Sequence, residues 1–198
     1  MLKSMTKAAG ALLLLGCFAP LAGSAAELNL ATLSCDKYEH EIIGSPDETA
    51  VAEPSRHPDM INMVMWLFGY SVAKSGDHMM YGDALLSFGF ALDAECKNNP
   101  SVSLLEAVTT VRPKRDKPMN LMTLNCADFE SRHEETAHSD AESAETIMMW
   151  LYGYSVGQSG GHLFDPGGLT RFAQALQKRC AEHTDESLFD ALVAVKGK

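Results

Sequence analysis

Basic residues are scarce in this sequence. Sixteen Lys and Arg stand against 26 Asp and Glu, and two of the sixteen, Lys3 and Lys7, lie in an opening segment of 26 residues that holds no acid. The remainder carries 14 basic and 26 acidic residues, a net charge of −12 at pH 7 with His neutral. With no basic face to neutralise phosphates, nucleic acid is excluded as a partner, and an anionic membrane surface with it. Few catalytic signatures are present. H-E-x-x-H and C-x-x-C do not occur, and the one G-x-S-x-G, Gly153–Gly157, lies in a segment of helical spacing rather than at a strand-to-helix turn, so the chain is not expected to be an enzyme, to hold catalytic residues or to need a cofactor. No run of alternating apolar and polar residues marks a strand. Beyond the opening segment no stretch approaches 18 apolar residues, so no membrane insertion is expected.

The opening segment reads as a secretory signal at 1–26. Its apolar run, Ala8 to Leu15, is too short to span a bilayer, and Ser24-Ala25-Ala26 offers a small-residue cleavage site. This predicts a periplasmic protein. Leu14-Leu15-Gly16-Cys17 also resembles a lipoprotein processing box, which would leave Cys17 lipidated, as a minority alternative. Removing the signal leaves four cysteines, an even number that in a secreted chain implies disulfides.

What the chain does have is a repeat. Residues 66–76 read WLFGYSVAKSG and residues 150–160 read WLYGYSVGQSG, an offset of 84. Over 60–111 and 144–195, 19 of 52 ungapped positions are identical. This marks a module of roughly 75 residues used twice. Three pairings of the four cysteines are possible; the repeat favours Cys35–Cys96 and Cys126–Cys180, which close each bond within one copy. The boundaries are a first module at 32–111, a linker at 112–122 with Pro113 and Pro118 among basic residues, and a second module at 123–198.

Helical spacing dominates both copies. Met63, Trp66, Leu67 and Tyr70 recur at three and four residues, as do Ile147, Trp150, Leu151 and Tyr154. Gly69 with Ala73, and Gly153 with Gly157, put small residues one turn apart and imply a helix packed close by. Gly76 and Gly160 are expected to end these helices. Ser34 and Asn125 suit N-caps of short helices opening at Cys35 and Cys126. The expected fold is all-α, two tandem small modules of about four helices, each with one internal disulfide.

Few residues invite chemistry. His78 and His162 follow the turn glycines at equivalent positions and are candidate pH sensors. His133-Glu134-Glu135 is expected to be a solvated stretch. Met60, Met63, Met65, Met79 and Met80 would suit a soft metal, but their helical spacing explains them as packing residues, and no metal is expected. The candidate client or interface surface comprises Met63, Trp66, Leu67, Tyr70, Met149, Trp150, Leu151 and Tyr154.

Several features resemble the HdeA/HdeB family of periplasmic acid-stress chaperones. They are C-x-x-[FY] at Cys35–Tyr38 and Cys126–Phe129, the G-Y pair in the long helix, 27 residues from Gly69 to Cys96 and from Gly153 to Cys180, and the closing stretch from Cys96 to Leu104. The resemblance implies a small all-helical fold, one disulfide per module, and an ATP-independent holdase that acid opens to hold unfolded periplasmic proteins. Two modules on one chain imply an intramolecular pseudo-dimer, or else a homodimer. The alternative reading is a periplasmic interaction protein of immunity type that binds one partner at neutral pH.

Overall fold

The computed structural model describes residues 27–40, 57–80, 85–111, 119–139 and 141–195. The signal segment with Cys17, and residues 112–118 of the linker, lie outside them. Eight helices carry the described chain, joined by four two-residue strands. Strand β1 (Leu28–Asn29) leads to helix α1 (Cys35–Lys37) and the long α2 (His57–Lys74); β2 (Met79–Met80), α3 (Leu85–Asn98) and α4 (Leu104–Thr110) complete the first copy. The second repeats the order with β3 (Met119–Asn120), α5 (Cys126–Ser139), α6 (Ala141–Ser159), β4 (Leu163–Phe164), α7 (Gly168–Glu182) and α8 (Leu188–Ala194).

Local chemistry sets the boundaries. Ser34 Oγ accepts from the Lys37 amide at 3.3 Å and Asn125 Oδ1 from the Asp128 amide at 2.8 Å, so both expected N-caps form. Ser103 and Ser187 cap α4 and α8 in the same way, at 3.2 and 3.1 Å. Gly76 and Gly160 take φ of 72° and 77°, the left-handed conformation that stops α2 and α6 at little cost. The helix after Cys126 is longer than expected, running to Ser139. It contains no Pro or Gly, and Glu, Arg and Ala sustain it.

Both disulfides close within their own copy. Cys35–Cys96 and Cys126–Cys180 have Cα–Cα distances of 4.8 and 4.9 Å. They tie α1 to α3 and α5 to α7. Bonds spanning 61 and 54 residues stabilise by about 4 kcal/mol each in the chain-entropy view. Beside each bond a backbone clasp recurs: the Leu104 amide donates to Leu33 O and the Leu188 amide to Leu124 O, both at 2.7 Å.

The strands run between copies rather than within them. β1 pairs antiparallel with β4, Leu28 opposite Phe164, and β2 pairs with β3, Met80 opposite Met119. The Leu30 amide donates to His162 O at 3.0 Å, and its counterpart Leu121 to His78 O at 2.9 Å. Residues 119–122, placed in the linker by the sequence reading, are thus an ordered strand and turn. Two-residue strands are too short to show an alternating pattern, which is why none was legible.

Helices α2 and α6 pack on each other at the centre. The Cβ that Gly69 lacks would fall inside the contact radius of Trp150 O, and that of Gly153 inside the radius of Trp66 O. One turn on, Gly157 faces the Cβ of Ala73. The buried side chains of both copies form one continuous cluster around this crossing. Gly69→Ala or Gly153→Ala should therefore destabilise the fold by about 3 kcal/mol in urea unfolding, because backbone must move. Gly89→Ala in α3, where the nearest atom would be Val64 Cγ1 at 3.7 Å, should be neutral or stabilising by up to about 1 kcal/mol. Equal losses at all three positions would show that helix propensity, not the crossing, governs the effect.

Candidate functional site between the repeats

The eight residues proposed as a client surface come together, and every one is buried. Trp66, Leu67, Trp150, Leu151 and Tyr154 expose none of their surface. They form the crossing itself. Trp66 stacks on Tyr70 at 5.5 Å and Trp150 on Tyr154 at 5.4 Å, the two pairs being equivalent by the repeat. Edge contacts cross between copies, Trp66 to Phe164 at 5.3 Å and Phe68 to Trp150 at 6.3 Å. Such pairs contribute about 0.5–1.5 kcal/mol beyond area burial. Both indole N–H groups are buried with no hydrogen-bond partner among the described residues. Each costs about 1–3 kcal/mol that solvation would return.

Few polar groups cross the interface. Asn62 donates to Glu145 Oε1 at 3.1 Å near one end. At the other end the repeat symmetry breaks. His78 Nδ1 and the Tyr154 hydroxyl lie 2.6 Å apart, and the His78 ring rests edge-on against Phe189 at 4.6 Å. The same hydroxyl donates to Asp77 O and accepts from Gln158 Nε2, both at 3.3 Å. In the equivalent place Lys74 stands instead of Gln158 and sits 6.0 Å over the Tyr70 ring. His162 is exposed, and its backbone carbonyl supplies the contact to Leu30. The two candidate pH sensors thus occupy different surroundings: His78 bridges the copies through its ring, and His162 does not.

Two acidic residues at equivalent positions escaped the sequence reading. Glu39 and Glu130 each follow the C-x-x-[FY] motif by one residue. Burial pushes the Glu39 carboxyl above the usual range, helped by the nearby Asp93 carboxylate. Burial likewise raises Glu130, with Glu134 adding to it. Each has one carboxyl oxygen buried. His133, expected to be solvated, is half-buried against Phe129, and desolvation lowers its pKa. Glu186 is held below the usual range by two hydrogen bonds from Arg179, at 2.6 and 2.7 Å.

The recurring strands were also missed. Their signal is L-N-L-A-T-L-S-C at 28–35 and M-N-L-M-T-L-N-C at 119–126. It lies at an offset of 91 rather than 84, because copy one carries seven more residues between Cys and Trp. Among the described residues no group of three His, Cys, Asp or Glu could hold a metal ion, and no helix is long and apolar enough to cross a membrane. No family model, curated protein or solved structure matches the chain.

Two measurements follow from this geometry. Tyr154→Phe removes a hydroxyl shared by His78, Asp77 and Gln158 and should cost about 1 kcal/mol. Tyr70→Phe, whose hydroxyl makes no such set of contacts among the described residues, should cost less than about 0.5 kcal/mol. The raised carboxyls set a sign in pH. A group with a raised folded-state pKa favours the fold below its unfolded pKa, and that contribution fades as pH rises through the folded value. Glu39→Gln and Glu130→Gln should therefore stabilise at pH 7, by about 0.5 kcal/mol each given partial exposure, and match the parent at pH 3. Arg179–Glu186 has the opposite sign: its contribution is present above the usual Glu pKa and is lost as pH falls through the depressed one. Thermal melts of these variants from pH 7 to pH 3 check both.

Proposed function

We propose that the protein is a periplasmic, acid-activated, ATP-independent holdase built as an intramolecular pair of HdeA-like modules. The observation that carries this reading is the location of the apolar surface. The aromatic and methionine residues best suited to hold an unfolded chain lie between two copies of one module. Separating the copies would present them without unfolding either disulfide-tied unit.

Acid has a lever on that separation. The ion pairs that the described residues form with one another lie within one copy. Across the interface the Glu145 carboxylate accepts from Asn62, a bond that protonation weakens, and repulsion adds to that. With carboxylates neutral and all seven His charged, the chain beyond the signal moves from −12 towards +21, leaving the termini aside. The partnerless Trp66 and Trp150 indoles gain water on opening, which lowers the barrier the charge must overcome. The raised Glu39 and Glu130 act in the other direction, favouring the fold of each unit in acid. The combination suits a protein whose interface opens while its units persist.

The second reading, a neutral-pH interaction protein, is favoured by one feature. Leu86 and Phe90 lie one turn apart on α3 and are 73% and 72% exposed, where copy two carries Thr170 and Gln174. One set of experiments separates the two. Suppression of aggregation of several unrelated proteins at pH 2–3, with no effect at pH 7, is the expected outcome. Tryptophan emission should shift to the red and a hydrophobic dye should bind over the same range, at constant monomeric mass. Unchanged emission down to pH 2 would remove the acid switch, and tight neutral-pH binding of one protein, lost in a Phe90→Ser variant, would establish the second reading.

A further inference from the structure

We propose that a cavity beside α5 in the second copy is a binding site for a small amphipathic carboxylate, an apolar body of roughly eight to ten heavy atoms ending in one carboxylate. The cavity encloses about 270 Å³. That is room for roughly nine groups the size of a water molecule. Its walls are apolar: Met80 and Met119 from the β2–β3 pair, Phe129 from α5, and Ile147 and Leu151 from α6. Arg132 and His133 of α5 bring the ionisable groups to it. An apolar body with convergent polar groups at one side is the usual make-up of a small-molecule site.

The charge pattern selects the head group. Arg132 is exposed, and among the described residues its guanidinium makes no ion pair or hydrogen bond, including with Asp128 one turn back. Glu130 and Glu134 stand two residues to either side of Arg132, a spacing at which helical side chains do not face each other. A planar guanidinium facing an apolar wall recognises a planar carboxylate through paired hydrogen bonds. His133, packed against Phe129, adds a second nitrogen donor beside it.

The repeat supplies an internal control. At the offset of 91, Glu41 and Ile42 stand where copy two has Arg132 and His133. The basic rim is therefore not something the shared fold requires. It belongs to α5. The site is independent of the holdase reading, since it needs the closed protein at neutral pH.

The test uses the full chain with labelled methionine methyls, followed by NMR at pH 7. Octanoate should move the Met80 and Met119 signals and saturate, leaving Met63 and Met65 in place. 1-Octanol, with the same body and no charge, should bind at least about tenfold more weakly. Arg132→Gln should erase that difference while the melting temperature holds. N-acetyl-leucine carries the same chemistry as a peptide C-terminus; tighter binding than octanoate would identify a peptide end as the source, and weaker binding a free acid. Absence of shifts with both acids, equal shifts at all methionines, or octanoate affinity unchanged by Arg132→Gln would overturn the proposal.

Discussion

The approach of α2 to α6 governs the rest of this structure. Where Gly69 meets the Trp150 carbonyl and Gly153 meets the Trp66 carbonyl, two backbones come closer than any side chain permits. That proximity fixes where both indoles lie, and the indoles fix the stacked Tyr70 and Tyr154. It also brings the segment after each long helix within reach of the other copy's opening strand, so the β1–β4 and β2–β3 pairs follow from it. A glycine inside a helix costs up to about 1 kcal/mol against alanine. Four aromatic rings packed in register outweigh that cost.

Charge is arranged differently from apolar surface. The interface holds aromatic faces and a few polar contacts, among them Asn62–Glu145 and His78–Tyr154, while the ion pairs of the described residues lie inside each copy. Net charge acts on the two copies as bodies, and local shifts act within each unit. Glu39 and Glu130 sit beside the disulfides, where protonation favours the fold, whereas Arg179–Glu186 clasps α7 to the turn before α8 and weakens in acid. A pH change therefore acts with both signs inside the copies.

Much of this was legible in the sequence. The helical period around Trp66 and Trp150, the small residues on one face, the turn glycines and the polar caps are local signals, and each forms as read. The disulfides follow from the repeat, because two copies of one unit close alike. The exchanged strands were hidden because two residues are too few to alternate and because a seven-residue insertion shifts their offset from 84 to 91. The burial of the expected client surface was half legible: spacing put those residues on one face, but not which face would cover it. The divergence of His78 from His162 depended on Gln158 and Phe189, which no pattern links to a histidine. Glu39 and Glu130 looked like two acids among 26 until the fold set one oxygen of each out of water.

The exchange of strands carries a consequence for how the chain acquires its structure. β1 is among the earliest described segments, yet its partner is β4, beyond the whole of α6. As the polypeptide emerges it cannot finish its first edge or cover the Trp66 face until most of the second copy is present. Pairings between such distant segments are slow to form, and the waiting surface is sticky. The nascent first half thus keeps its aromatic residues uncovered until the second copy arrives.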